Sequence, residues 1–401
     1  MLHEAISFFT DEKKIMACLS VTCGDAGHET HAMRGLIDLD GTPVGEDSIY
    51  DLASLTKLFT ALTVMRLFEE GAIDLNAPVM RYAPQFANLD GVTVDQVLGF
   101  EVLLTTPERV DAQPDREAGL RQLYAIRAAA HGNNRYYSDM HAMVLGHVIE
   151  GAAGMGLEAC MRRYILAPLD MQSTTACVPE LLRKRCVSCD REHRIERERW
   201  ILREGIAPGT PHDPKARLLS PDGRNLCGHA GLFSTRGDMT KLCQGLMAEK
   251  VVSRKSLAAM ARNRLGRRLP DGGYTQYLGS QCYVKHPNQY FSEIPVYMSD
   301  QAIGLSGFTG HHLSVDPETG LFVVCLGNRV LDRLCVLVPE KGKTLRDYGL
   351  NDDGTGRICW PDGHWAYSSV DYVHQKDAQL HSRIARLLGV PVWRKAGSEW
   401  P

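Results

Sequence analysis

Apolar positions in the first fifty residues come in short runs set apart by glycine. Ala17 to Thr22 and Ala32 to Leu39 read as two or three strands. After Ser54 the period changes. Leu58, Leu62, Met65 and Phe68 keep helical spacing to Glu70, and Gly71 stops the helix. A shorter helical piece follows around Val79 to Tyr82, and the helical pattern returns from Met140 to Ile149. Residues Arg183 to Glu204 are so rich in charge that they predict a solvated face or connector, and 231–262 read as helical. Strand patterns resume between Tyr274 and Arg329, at Tyr290 to Tyr297, His312 to Val315 and Leu321 to Leu326, before a closing helix from Tyr372 to Leu388. Strands at both ends with a helical middle predict an α+β architecture, an antiparallel sheet flanked by helices and joined to a mainly helical lobe. The 401 residues are expected to form one catalytic domain, with an α/β lobe from about 1–50 and 225–401 and a helical lobe over about 51–224.

Composition narrows the function. A formal net charge of −3 provides no basic field for nucleic acid, so no nucleic-acid partner is expected. No apolar run reaches eighteen residues, and the first twenty lack a basic leader with a sustained apolar core. A cytoplasmic protein without a membrane partner is the expectation. The 12 cysteines are scattered, as free thiols in a reducing compartment would be. Cys186-Val187-Ser188-Cys189, with His193 four residues on, lacks the second pair that a zinc site needs, so neither metal nor cofactor is expected.

The candidate chemistry begins at Ser54-Leu55-Thr56-Lys57. A serine at a helix start is commonly an N-cap, and Ser-x-x-Lys alone is a weak signal. On a helix, however, i and i+3 share a face, so the Lys57 amine can reach the Ser54 oxygen. Burial of that amine would lower its pKa and let it take the serine proton. A polar turn, Asn133 to Asp139, supplies Tyr137 as a second candidate base and Asp139 as a carboxylate. Gly304-Leu305-Ser306-Gly307-Phe308-Thr309-Gly310 is a small-residue strand against which a substrate backbone could lie, with His311 and His312 following it.

Together these segments resemble the serine β-lactamase and penicillin-binding-protein superfamily, in the branch of class C β-lactamases, D-alanyl-D-alanine peptidases and related esterases. The resemblance runs from about 45 to 335. It includes Glu70-Gly71-Ala72-Ile73-Asp74-Leu75, Pro168-Leu169-Asp170-Met171, His212-Asp213 with Lys215-Ala216, Gly228 to Thr235, and Asn328-Arg329. It implies that Ser54 is a nucleophile forming an acyl-enzyme, that Lys57 and Tyr137 share the proton work, and that the backbone N–H groups of Ser54 and Phe308 form the oxyanion hole. Two departures bear on substrate. Leu305 of Leu305-Ser306-Gly307 stands where the family carries a cation for a substrate carboxylate, and Asp139 replaces an amide that would donate to an acylamido carbonyl. A carboxylate at Asp139 would also hold a nearby Lys57 more firmly charged and shift base work toward Tyr137. Both departures favour a carboxylesterase or amidase on a small acyl substrate over a β-lactamase or D-alanyl-D-alanine carboxypeptidase. A non-catalytic member of the fold is the rival from another class. His229 and His311 are further candidates for substrate contact, although loop-holding hydrogen bonds are the preferred role for His229. His212 and Asp213 read as a structural polar pair.

Overall fold

The computed structural model describes residues 1–25, 27–131, 136–197, 199–289, 292–343 and 356–390. The principal sheet consists of β1 (Cys18–Gly24), β2 (Glu29–Gly35), β3 (Tyr283–Val284), β4 (Ile303–Gly307), β5 (His311–Asp316) and β6 (Leu321–Asn328). Their spatial order is β2-β1-β6-β5-β4-β3, with antiparallel neighbours throughout, so the first strands of the chain lie beside the last of this set. β1 and β6 are buried at every position, because both faces of the sheet are covered. The alternation of strand side chains divides the core. Leu305, Leu313, Val315, Phe322, Val324 and Leu326 join the large cluster beneath the helical part. Leu19, Val21, Cys23, Val323 and Cys325 face the opposite way, against Ile6, Phe9, Tyr372, Leu380 and Ile384 from the two ends of the chain.

The expected closing helix is present as Tyr372–Gln375, a π-helical stretch Lys376–His381, and Ser382–Leu387. β2 begins earlier than its apolar run suggested, since the tight return from β1 pairs Gly24 with Glu29. The expected strand around Tyr290 to Tyr297 begins outside the described residues, and 292–297 are not strand. The span 231–262 contains the short strand Phe233–Ser234 before the helices Arg236–Met247 and Arg254–Met260.

The charged stretch before Glu204 is a correction. Glu192–Glu196 and Arg199–Arg203 form a hairpin in a second, five-stranded sheet with Arg333–Val338, Arg357–Cys359 and Trp365–Ser368. Its charges are solvated on one side only: Ile195 turns inward onto Leu334, Ile358 and Ala366, while Arg194 bridges Glu192 and Glu196 at 2.7 and 2.8 Å.

Two helices position the site. Thr56–Glu69 is buried on nearly every face, which its alternation of Leu, Phe, Ala, Val and Thr permits. Asp139–Ala153 packs against it and is capped by Ser138, whose Oγ accepts the Met140 N–H at 3.2 Å. At the far edge of the principal sheet, β3 pairs with β4 only at Ile303 and Gly304. Among the described residues, Leu305 to Gly307 therefore have ladder partners on the β5 side alone.

Candidate active site

Ser54 lies in a 3-10 turn, Ala53–Leu55, that leads into the Thr56–Glu69 helix. It does not cap that helix, for which no side-chain cap bond exists. The turn is strained: Ala53 has φ +46°, a left-handed conformation that costs a residue with a Cβ about 1–2 kcal/mol. Asp51 over-determines it. Its buried carboxylate accepts the N–H groups of Ala53 at 3.0 Å and His212 at 2.6 Å. Its carbonyl accepts from Thr309 Oγ1 at 3.0 Å and His311 Nε2 at 2.6 Å. The turn that carries Ser54 is thus tied to the β4–β5 connection that carries Phe308.

Lys57 is fully buried, and its amine meets three acceptors: Ser54 Oγ at 2.9 Å, Asp139 Oδ1 at 2.7 Å and the His229 carbonyl at 3.2 Å. Tyr137 flanks it, with the ammonium 5.0 Å from the ring centroid. Burial works to strip the charge from Lys57, but the Asp139 carboxylate and the Tyr137 phenol outweigh it and hold the ammonium above its ordinary range. The expectation that burial alone depresses the lysine is corrected, and the expectation that Asp139 holds it charged fits the geometry. An ammonium with three protons committed is a donor to Ser54 and has no lone pair with which to take its proton.

Tyr137 is fixed between rings, stacked on Tyr283 at 5.6 Å and on Phe100 at 5.6 Å, and the Gln276 amide oxygen accepts the N–H groups of both Tyr136 and Tyr137. Tyr136 is buried beside Phe100 and Leu278, which leaves Tyr137 as the phenol beside Lys57. Asn133, Asn134 and Arg135 lie outside the described residues.

Behind Lys57 runs a line of alternating charges. Asp139 Oδ2 meets Lys215 at 3.1 Å, Lys215 meets Asp213 at 3.4 Å, and Asp213 Oδ1 accepts from His229 Nε2 at 2.8 Å. Burial would raise the Asp139 carboxyl, yet Lys57, His229 and Lys215 hold it well below the usual carboxylate range. Asp213 also caps the Pro214–Leu219 helix through the Ala216 N–H at 2.9 Å. His212 and Asp213 do not pair with each other, because the His212 side chain turns to Glu192, 3.2 Å away. Asp139, Asp213 and His229 place one ligand atom each within 4.8 Å of one another, a spacing a metal could use. Both carboxylates already face ammonium groups, so positive charge at this place comes from Lys57 and Lys215 and the donor set does not fit a metal.

Other sequence candidates occupy different ground. Leu305 is fully buried in the main cluster, so its side chain packs the core and lines no ligand pocket. His311 is structural. Its Nε2 donates to the Asp51 carbonyl and its Nδ1 accepts the Gly327 N–H at 3.1 Å, and burial lowers its pKa to about 4. His229 is buried, and it contributes its backbone carbonyl to Lys57 while its ring anchors to Asp213. Gly228 before it has φ +80°, and a Cβ there would meet the Ala142 carbonyl oxygen at 2.4 Å. Ser306 faces away from Leu305. Its Oγ donates to Glu293 at 2.8 Å and lies 3.1 Å from His312 Nδ1. Glu293 in turn pairs with the buried Lys376 at 3.1 Å. Phe308 is exposed, stacked on His212 at 5.2 Å and lying 5.0 Å from the Arg329 guanidinium. Cys186 and Cys189 are buried free thiols, and burial pushes the first up to about 12.

The sequence reading did not assign roles to Asp51, Ala53 or Lys215. Pro214 after Asp213 was a signal for a helix start that places Lys215 beside its own cap residue. A left-handed alanine leaves no such mark. A cavity of about 620 Å³ lined by Tyr277, Val284, Lys285 and His286 contains none of Ser54, Lys57 and Tyr137, so chemistry rather than volume locates the site.

A family model described as Beta-lactamase matches residues 14–334. The chain belongs to the beta-lactamase family. It is 29% identical over 315 residues to a protein of Salmonella typhi named "Putative D-alanyl-D-alanine carboxypeptidase", covering 71% of this chain and 70% of that one. Among solved structures, it resembles EstCE1, a hydrolase with promiscuous acyltransferase activity, at TM-score 0.64 and 20% identity, over 82% of this chain and 92% of the other. The octameric penicillin-binding protein homologue of Pyrococcus abyssi gives 0.63 and 20%, over 97% and 77% of the two chains. These likenesses establish the beta-lactamase and penicillin-binding-protein fold. Among the described residues no helix is long and apolar enough to cross a membrane.

Proposed function

We propose that this protein is a serine hydrolase that forms an acyl-enzyme on Ser54 and acts on small neutral esters or amides. The observation that carries the reading is the triply committed Lys57 ammonium, 2.9 Å from Ser54 Oγ with Tyr137 against it. Because Lys57 is a donor, base work falls to Tyr137, acting in its phenolate form. Tyr137 takes the serine proton as Oγ bonds to the substrate carbonyl carbon. The carbonyl electrons move to oxygen, which the Ser54 and Phe308 N–H groups would receive. Collapse expels the alkoxide or amine, which leaves with the proton from Tyr137, and water repeats the sequence to release the acid.

Substrate class follows from charge. A terminal carboxylate needs a cation: near the Leu305-Ser306-Gly307 strand Lys376 already serves Glu293, and Arg329, 5.0 Å from the Phe308 ring, donates to the Cys335 carbonyl. The Salmonella relatives' name keeps carboxypeptidase activity as the second reading. The test sets short p-nitrophenyl esters beside a chromogenic cephalosporin and a D-alanyl-D-alanine peptide, with Ser54→Ala as control. Ester turnover lost in the control and exceeding the others by orders of magnitude supports the proposal. Faster cleavage of the cephalosporin or the peptide than of the esters refutes the substrate class, and turnover surviving in Ser54→Ala refutes the nucleophile.

A further inference from the structure

Ser54, Lys57 and Tyr137 account for bond breaking, but they leave unexplained why Asp139 is shared between two lysines. Asp139 gives Oδ1 to Lys57 and Oδ2 to Lys215, and Lys215 then shares Asp213, whose other oxygen is held by His229. Since a carboxylate can only accept, His229 Nε2 is the donor to Asp213, and its buried Nδ1 has no hydrogen-bond partner. The charges of the two lysines and two carboxylates along the line, Lys57, Asp139, Lys215 and Asp213, alternate in sign and cancel, and the His229 ring against Asp213 adds positive charge when protonated.

We propose that Lys215 and Asp213 are positioning residues that set the pH at which Tyr137 becomes a base, by neutralising Asp139 and each other behind Lys57. Removing Lys215 leaves the line one unit negative, which opposes a phenolate beside it. Removing the Asp213 charge leaves it one unit positive, which favours the phenolate. Opposite signs from two neighbouring residues distinguish electrostatic tuning from scaffolding, since loss of a scaffold lowers activity in both cases without moving a titration limb.

Other charges face the line: Asp51 and Arg217 lie near Asp213, and Asp111 lies near Lys215. They remain in every variant and so cancel in the comparison, whereas the His229 ring loses its carboxylate partner in Asp213→Asn, so a His229→Gln background is measured beside it.

This inference rests on the reading of Tyr137 as the base acting on Ser54. The experiment is the pH dependence of the rate at which a fluorophosphonate labels Ser54, measured on the folded full-length protein. Lys215→Met should move the rising limb up by about one pH unit, and Asp213→Asn should move it down by a similar amount, the range for one nearby charge. Asparagine keeps the helix cap. Lys215→Arg should leave the limb in place, and the Lys215→Met, Asp213→Asn double variant should return it close to the wild-type position. If Lys215→Met does not fold, the direction of the Asp213→Asn limb decides. Limbs that stay put or move the same way overturn the inference alone. Failure of the wild-type protein to label at Ser54 at any pH overturns the serine-hydrolase reading as well.

Discussion

Replacing Asp139 by Asn removes one charge from a buried pair whose atoms lie 2.7 Å apart. At that separation the gross attraction is about 6 kcal/mol for an effective dielectric of 20. The loss on breaking a buried pair from one side is typically about 3–5 kcal/mol. Lys57 has a way out, which sets a ceiling. Discharging an amine of ordinary pKa at pH 7 costs about 4.6 kcal/mol, at 1.36 kcal/mol per pH unit. Asp139→Asn should therefore lower unfolding stability in urea by roughly 3–5 kcal/mol at pH 7. The pH dependence has a defined sign. Asp139 is held below its unfolded value, so its contribution is present above about pH 4 and is lost as pH falls through the folded pKa. Lys57 is held above its unfolded value, so its contribution is complete below about pH 10 and is lost as pH rises through the folded pKa. The gap between wild type and variant should narrow below about pH 4, and should narrow again toward alkaline pH as the unpaired Lys57 of the variant discharges. The same change should free Lys57 to discharge and move the rising limb of ester hydrolysis to lower pH. Equal stability of the two proteins across this range, or superimposable pH–rate profiles, would refute the assignment of Lys57 as an ammonium held by Asp139.

Other outcomes follow from the same geometry. Ala53→Gly relieves about 1–2 kcal/mol of left-handed strain but gives back about 0.4–1 kcal/mol through a freer unfolded chain, so thermal unfolding should show a net gain between about 0 and 1.6 kcal/mol. Tyr137→Phe should abolish ester hydrolysis at neutral pH while Tyr136→Phe retains most of it, and the reverse result would reassign the phenol. Glu293→Gln should release Lys376 and improve KM for carboxylate-bearing substrates relative to neutral esters, as steady-state kinetics would show. Leu305→Lys, which from sequence alone looks like a route to carboxylate binding, should instead lower stability, because position 305 is core and would bury an ammonium.

What the sequence disclosed and what it hid divide along a physical line. The helix of Lys57 was legible because its apolar spacing and the glycine after it act over one or two turns. β5 and β6 were legible because an unbroken apolar run such as Leu321 to Leu326 has few alternatives to a buried strand. The hairpin at Glu192–Arg203 was not, since its inward residues are few and its parallel partner Arg333–Val338 lies about 140 residues away. Leu305 was correctly placed on a strand, but which face it presents depends on the register with β5, and that register turns it to the core. Ser54 and Lys57 could be paired through local spacing. The alliance of Asp139, Lys215, Asp213 and His229 spans three separate segments, and no short-range pattern encodes it. The charge state of Lys57 was open in the sequence, because burial alone predicts a neutral amine while a carboxylate at Asp139 predicts a charged one, and the 2.7 Å contact favours the second.

The short edge of β4 that lacks a ladder partner among the described residues also bears on edge-to-edge pairing. An exposed strand edge is a template on which another chain can pair, and long flat edges invite aggregation. Here the open stretch is Leu305 to Gly307, bounded by β3 on one side and by the turn at Phe308 on the other. Three residues extend about 10 Å, which accommodates a small acyl compound but falls short of the five or six residues of a typical strand. So short an unpaired stretch offers too little length for a foreign strand to take hold.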